Sequence, residues 1–202
     1  MYCLNLHSMA YDNSWEIAIL DALQNMHSPW LDKLMIAVTS LGNAGILWII
    51  MTVILLIIPK TRKTGLVMAA ALLVEVILAN VILKNFVART RPYEVVDYVS
   101  LLIKKPVDYS FPSGHTGASF AAVTALFLCR RKLIGGISLV IAALIAFSRM
   151  YLYVHFPTDV IGGVVVGIVS GICGYFIIRK IDRLIRDKKG NETGCNAADD
   201  EA

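Results

Sequence analysis

The amino-acid sequence predicts an all-α fold: a polytopic membrane helical bundle of five to six transmembrane helices with an N-terminal amphipathic helix. Three observations predict it. The 202 residues are 57% hydrophobic and 17% charged, with a mean hydropathy of +0.66, whereas soluble domains run at about 45–50% apolar and about 25% charged. The apolar residues fall into long unbroken runs. The basic residues stand at the ends of those runs, so the net charge of +4 belongs to span flanks, and no nucleic-acid partner is expected. This pattern excludes a disordered chain, a disulfide-rich module, a coiled coil and an ordinary soluble enzyme.

Five runs carry the bundle: residues 41–58, 65–83, 116–129, 133–147 and 160–178. A crossing helix needs about 20 residues. The second and fifth runs fit directly, and the others need flanking residues. Each must be helical, because unpaired backbone groups are too costly in lipid. Before them, residues 13–26 set Ser14, Asp21, Asn25 and Ser28 opposite Ile17, Ile19, Leu20 and Leu23, the pattern of an amphipathic interfacial helix. Pro29 and Trp30 break the chain, and residues 31–40 form a second short helical stretch. Together 13–40 read as interfacial or as a broken sixth span, with the interfacial reading preferred. Residues 1–190 are one membrane domain with a helical core at 41–180, and the polar residues 191–202 are expected to be a disordered tail. No signal peptide is expected, since the N-terminus lacks a basic start and a continuous apolar core. Cys3, Cys129, Cys173 and Cys195 form no metal or disulfide pattern.

Twelve of the 19 basic residues gather in three clusters, at 60–63, 130–132 and 179–189. In a five-span chain these lie on one side, which the positive-inside rule makes cytoplasmic. The segments 84–112 and 149–159 then face outward from the cytoplasmic (plasma) membrane.

Those outer segments hold the chemistry. Lys84 and Arg91 are seven residues apart, so on a helix continued past the membrane they share a face and point at one anion. Taken alone they read more readily as residues snorkelling to the interface, a reading that also fits Arg89. Pro112, Ser113, Gly114 and His115 precede an apolar helix; free N–H groups at such a start bind anions. Arg149 ends the fourth run, and His155 stands four residues before Asp159. A carboxylate on one ring nitrogen fixes the tautomer and leaves the other nitrogen nucleophilic.

The segments Lys84-x6-Arg91-Pro92, Pro112-Ser113-Gly114-His115 and Ser148-Arg149-x5-His155-x3-Asp159 resemble the three signatures of the type 2 phosphatidic acid phosphatase superfamily. That superfamily includes membrane lipid phosphatases, glucose-6-phosphatase and vanadium haloperoxidases. The resemblance implies a lipid phosphatase with no metal or other cofactor. It implies that His155 attacks phosphorus, Asp159 orients it, and His115 protonates the leaving oxygen and then activates water. It implies that Lys84, Arg91, Ser113, Gly114 and Arg149 bind the phosphate. The substrate expected first is undecaprenyl diphosphate, with phosphatidylglycerophosphate or phosphatidic acid next. A haloperoxidase-like oxidoreductase and a non-catalytic lipid-handling protein are remote alternatives. The motifs do not separate the lipids, and they leave the oligomeric state open.

Other features carry weaker expectations. Glu75 lies within the second run, about 13 Å below Lys84 at 1.5 Å per residue, and reads as a hydrogen-bonded buried group more than as part of the site. Gly163, Gly167 and Gly171 form a small-residue stripe for close helix packing. Tyr93, Tyr98, Tyr109, Tyr151 and Tyr153 read as an aromatic belt, and residues 99–103 as a short helix on the membrane.

Overall fold

The computed structural model describes the backbone of residues 14–199 and the side chains of residues 14–188; the expectation for the N-terminal start lies outside them. Among the described residues there are nine α-helices, one 3-10 turn, one π-helical segment and no strand. The helices are α1 (Ser14–Gln24), α2 (Pro29–Leu41), α3 (Ile46–Ile57), α4 (Arg62–Glu75), α5 (Lys84–Val87), α6 (Pro92–Val95), α7 (Gly114–Leu128), α8 (Lys132–Tyr151) and α9 (Pro157–Asp199).

The chain is a multi-pass membrane protein. The stretches Arg62–Val95, Lys132–Tyr151 and Pro157–Lys188 are each long and apolar enough to cross a bilayer, and Pro29–Leu41 with Asn43–Ile57 reach that length together, bent by 45°. The expected first run is therefore interrupted. Gly42–Asn43–Ala44–Gly45 interposes a 3-10 turn in which Ala44 and Gly45 take left-handed φ of 50° and 66°. The α2 segment, expected to be interfacial or part of a broken sixth span, forms one arm of this bent pair. Helix α7 has 15 residues, about 22 Å at 1.5 Å per residue, short of a hydrocarbon core of about 30 Å. Among the described residues, length and composition thus give three candidate spans, or four with the bent pair.

The core is built at bundle depth by Trp48, Leu55, Val67, Met68, Ala71, Ala121, Ala122, Leu126, Ala142 and Ile145, while Ile50, Ile57, Leu73, Val140 and Phe176 face outward. The Gly163, Gly167 and Gly171 stripe faces α7. A Cβ at these positions would stand 2.7 Å from Ser113 O, 2.5 Å from Gly117 O and 2.5 Å from Thr124 Cβ. At the end away from the site, Arg131 donates to Lys60 O (2.8 Å) and Lys63 pairs with Asp182 (2.9 Å), so the three basic clusters share one end of the bundle.

Two local expectations are corrected, and helices α1 and α9 add detail of their own. The α1 segment exposes Ser14 and, just past its end, Asn25, and packs Leu20 inward, and it also carries acidic side chains into the protein. Glu16 and Leu20 are its buried residues, and Asp21 accepts from the Tyr153 and Tyr98 hydroxyls at 2.7 and 3.0 Å. Tyr93, Tyr151 and Tyr153 are buried rather than in a belt, because each hydroxyl has an internal acceptor, Pro106 O, Asp32 or Asp21. Residues 99–103 form no helix; Val99, Leu101 and Ile103 pack onto the small clusters around Tyr153 and Tyr151. Helix α9 runs from Pro157 to Asp199, and the last three residues lie outside the described chain.

Candidate active site

Lys84 follows the π-helical segment Val76–Leu83, a form that recurs at functional positions. One turn later Ala88 takes a left-handed φ of 48° and ends α5. Lys84 and Arg91 therefore do not share a continuous helix, contrary to the i, i+7 argument. They converge through tertiary structure. Arg91, extended at the N-cap of α6, donates to Val154 O (2.6 Å), Asp108 O (2.8 Å) and Asp108 Oδ1 (2.6 Å), and Lys84 Nζ pairs with Asp108 Oδ2. Burial raises the pKa of Asp108, but Lys84 and Arg91 outweigh it and hold the carboxyl down to about 2. A phosphate engaging both cations would compete with this carboxylate.

His155 sits in the turn between α8 and α9, 1% exposed. Its Nδ1 faces Asp159 Oδ2 at 3.6 Å, an ion-pair distance longer than a direct hydrogen bond, and its Nε2 lies 3.3 Å from Arg91 Nη1. Burial pushes the imidazole down to about 3, with Arg91 and Arg149 acting in the same direction and Asp159 opposing them. The ring is neutral near pH 7 and keeps a lone pair for attack. Asp159 is fully buried; its Oδ2 accepts from Phe156 N (2.8 Å) and from the Ser110 hydroxyl.

His155 shares a cavity of about 430 Å³ with His115, Lys84, Arg91, Arg149 and Gly114. Arg149 is buried, gives one N–H to Thr39 Oγ1 (2.8 Å), and its Nε has no hydrogen-bond partner among the described residues. A buried guanidinium of this kind favours an anion beside it. His115 Nε2 meets Asn43 Oδ1 at 3.0 Å. A Cβ on Gly42 would stand 2.7 Å from the His115 ring, so the bend between α2 and α3 backs this histidine. The N-terminal residues of α7, Gly114 and His115, line the cavity, and the bent backbone before them is satisfied by Ser110 N to Arg89 O (2.8 Å) and Ser113 N to Asp159 O (3.0 Å).

Of the eight site residues read from the sequence, His155, His115, Lys84, Arg91, Arg149 and Gly114 line this cavity, and Asp159 stands behind His155. The Ser113 hydroxyl is buried and accepts from Thr116 Oγ1 at 3.0 Å, so it is directed to the helix start and not to the cavity. Glu75, set aside as too deep, lines the same cavity, which reaches down along α4. Its Oε1 has no hydrogen-bond partner among the described residues and would lie 2.3 Å from a Cβ on Gly117. Arg89 does not snorkel; it pairs with Glu16 and with Asp159 Oδ1. Asn43, Ser110, Asp108 and Glu16 were missed. Only Asn43 left a signal, a polar residue between two glycines inside an apolar run. Among the described residues no group of three or more His, Cys, Asp or Glu side chains is placed to hold a metal.

The profile of the PAP2 superfamily matches residues 64–183. An undecaprenyl-diphosphatase of Sulfolobus acidocaldarius is 35% identical over 137 residues, covering 68% of this chain and 66% of that one. Phosphatidylglycerophosphatase B of Bacillus subtilis is 33% identical over 193 residues, covering 90% and 89%. The crystal structure of Aquifex aeolicus LpxE superposes with a TM-score of 0.68 at 31% identity, over 78% of this chain and 93% of that one.

Proposed function

The chain belongs to the PAP2 superfamily and is a membrane lipid phosphatase, and from that premise we propose that it removes the terminal phosphate of undecaprenyl diphosphate through a phosphohistidine on His155. Nε2 of His155 attacks phosphorus, the bond from phosphorus to the leaving lipid oxygen breaks, and protonated His115 gives that oxygen its proton. Water then attacks the phosphohistidine and His115 takes the water's proton. The P–N bond breaks, and inorganic phosphate leaves with His155 restored. Lys84, Arg91, Arg149 and the Gly114 N–H stabilise the equatorial oxygens, where preorganised charge supplies most of the acceleration. Ser113 contributes through the helix start, where its hydroxyl accepts from Thr116 Oγ1 and its carbonyl accepts from Gly117 N.

The observation that carries this reading is the two-sided environment of His155, with Nδ1 towards Asp159 and Nε2 towards Arg91 in a cavity shared with His115 and Arg149. A diphosphate is favoured because Lys104 joins Lys84, Arg91 and Arg149 in the lining, which keeps net positive charge beside the Asp108 carboxylate. Phosphatidylglycerophosphate is the second reading, since the relative named for it matches nearly the whole chain; phosphatidic acid follows. The topology that goes with the proposal has five spans, α7 among them. The clusters at 60–63, 130–132 and 179–189 are then cytoplasmic, and the site is at the outer face of the plasma membrane.

The test is phosphate release by purified protein in detergent with EDTA, offering undecaprenyl diphosphate, phosphatidylglycerophosphate and phosphatidic acid in parallel. The expected result is metal-independent release, fastest from undecaprenyl diphosphate and abolished in His155→Ala. A faster rate on a glycerophospholipid would replace the substrate, and undiminished release by His155→Ala would refute the mechanism.

A further inference from the structure

The N-terminal helix α1 lies outside the matched residues 64–183, yet it reaches the catalytic turn at two points on either side of His155. On one side Asp21 accepts from the Tyr153 hydroxyl at 2.7 Å, and Tyr153 holds a left-handed φ of 59°, unfavourable for a bulky side chain. Leu20 packs there with Tyr153 and Phe156. On the other side Glu16, 3% exposed, accepts from Thr158 N (3.1 Å) and Thr158 Oγ1 (2.6 Å) and pairs with Arg89 Nη2. Arg89 in turn donates from Nη1 to Asp159 Oδ1 (2.7 Å) and Thr158 Oγ1 (2.6 Å), and its guanidinium lies 4.0 Å over the Phe156 ring.

We infer that Glu16 is a positioning residue for the phosphoryl transfer, acting through Arg89 on the carboxylate of Asp159. The inference rests on the phosphatase reading above. Asp159 has two oxygens with different tasks. Oδ2 faces the His155 ring, and Oδ1 is held by Arg89. Arg89 alone would neutralise Asp159 and weaken its hold on the charged ring that forms as His155 attacks. Glu16 returns that charge from the far side of the guanidinium, and its grip on Thr158 fixes the first turn of α9, from which Asp159 projects. Outer partners that orient metal-bound histidines commonly matter about 10–100-fold, and the same scale is expected for a histidine oriented by Asp159.

The test is a double-mutant cycle on phosphate release in detergent. Glu16→Gln keeps the shape and removes the charge. It is expected to lower kcat at least about tenfold with KM within about twofold, and to add no further loss in an Asp159→Asn background, because it acts through that carboxylate. Arg89→Lys, which keeps a charge and loses the two-pronged contact, is expected to show the same background dependence, and it carries the cycle should Glu16→Gln fail to fold. Unchanged kcat in Glu16→Gln, or equal losses with and without Asp159, would overturn the inference while leaving the phosphatase reading intact. Wild-type protein releasing no more phosphate than His155→Ala would instead refute that reading, and the inference with it.

Discussion

Two residues give sharp expectations. Gly42 has an ordinary right-handed backbone, φ −86°, so alanine costs it no backbone strain. The added methyl would nevertheless stand 2.7 Å from His115 Cδ2 and 3.1 Å from Ile145 Cγ2. Gly42→Ala should therefore displace His115 and lower kcat about 100-fold, the scale of a 1 Å misplacement, with a melting temperature within about 3 °C of wild type; steady-state kinetics beside a thermal melt checks both. His155 is held neutral in the fold, at about 3 against an ordinary 6.5. Between those values the unfolded chain binds a proton that the folded chain does not. The native state thus loses stability as pH falls from about 6.5 towards 3. His155→Asn, which cannot titrate, should show a shallower fall in melting temperature from pH 7 to pH 4 in phosphate-free detergent. An equal fall would contradict the neutral assignment. At this scale the sequence was most legible, since His155, Asp159, His115, Lys84, Arg91 and Arg149 carry their chemistry in type and spacing. The partners that orient them were not legible: Asn43 is 72 residues from His115 and Ser110 is 49 from Asp159.

Among the elements, α7 and α9 decide where the site forms. Helix α7 brings Gly114 and His115 to the cavity, α9 starts beside Asp159, and the glycine stripe sets their distance. A Cβ on Gly167 would meet Gly117 O at 2.5 Å and Phe120 Cβ at 2.8 Å, backbone and β-carbon contacts that no rotamer change relieves. Gly167→Ala is expected to cost about 1–3 kcal/mol, as overpacking does, and to lower activity along with the melting temperature, whereas Gly136→Ala, with nothing within 4 Å of the added carbon, should leave both unchanged. The stripe was readable from its four-residue repeat. The π-helical segment before Lys84 and the left-handed Ala88 after α5 were not, because no glycine or proline marks either position. The helical register carried across them therefore placed Lys84 and Arg91 on one face for a reason the fold does not use.

Over the whole molecule, apolar side chains face outward and the charged cluster is gathered at one end, with the basic flanks at the other. That polarity makes the orientation testable. Val107 lies on the site-bearing segment and is fully exposed. Val107→Cys, in a background with the native cysteines replaced, should react in intact cells with a membrane-impermeant maleimide, and a cysteine at Lys60 should react only after permeabilisation. The reverse pattern would put the site on the cytoplasmic side.

The sequence by itself determined the class of the molecule and named most of the residues that the fold gathers around one cavity. Hydropathy runs, flanking charge and motif spacing are local quantities, and lipid leaves a buried backbone little choice but helix. Only the tertiary structure decided which polar residues the site recruits from outside the motifs: the bend that backs His115, the Asp108 carboxylate bridging two cations, and the Glu16–Arg89 pair behind Asp159. Each is a contact between residues far apart in the chain. Their partners were invisible because a carboxylate on an amphipathic helix looks the same whether it faces water or a buried guanidinium.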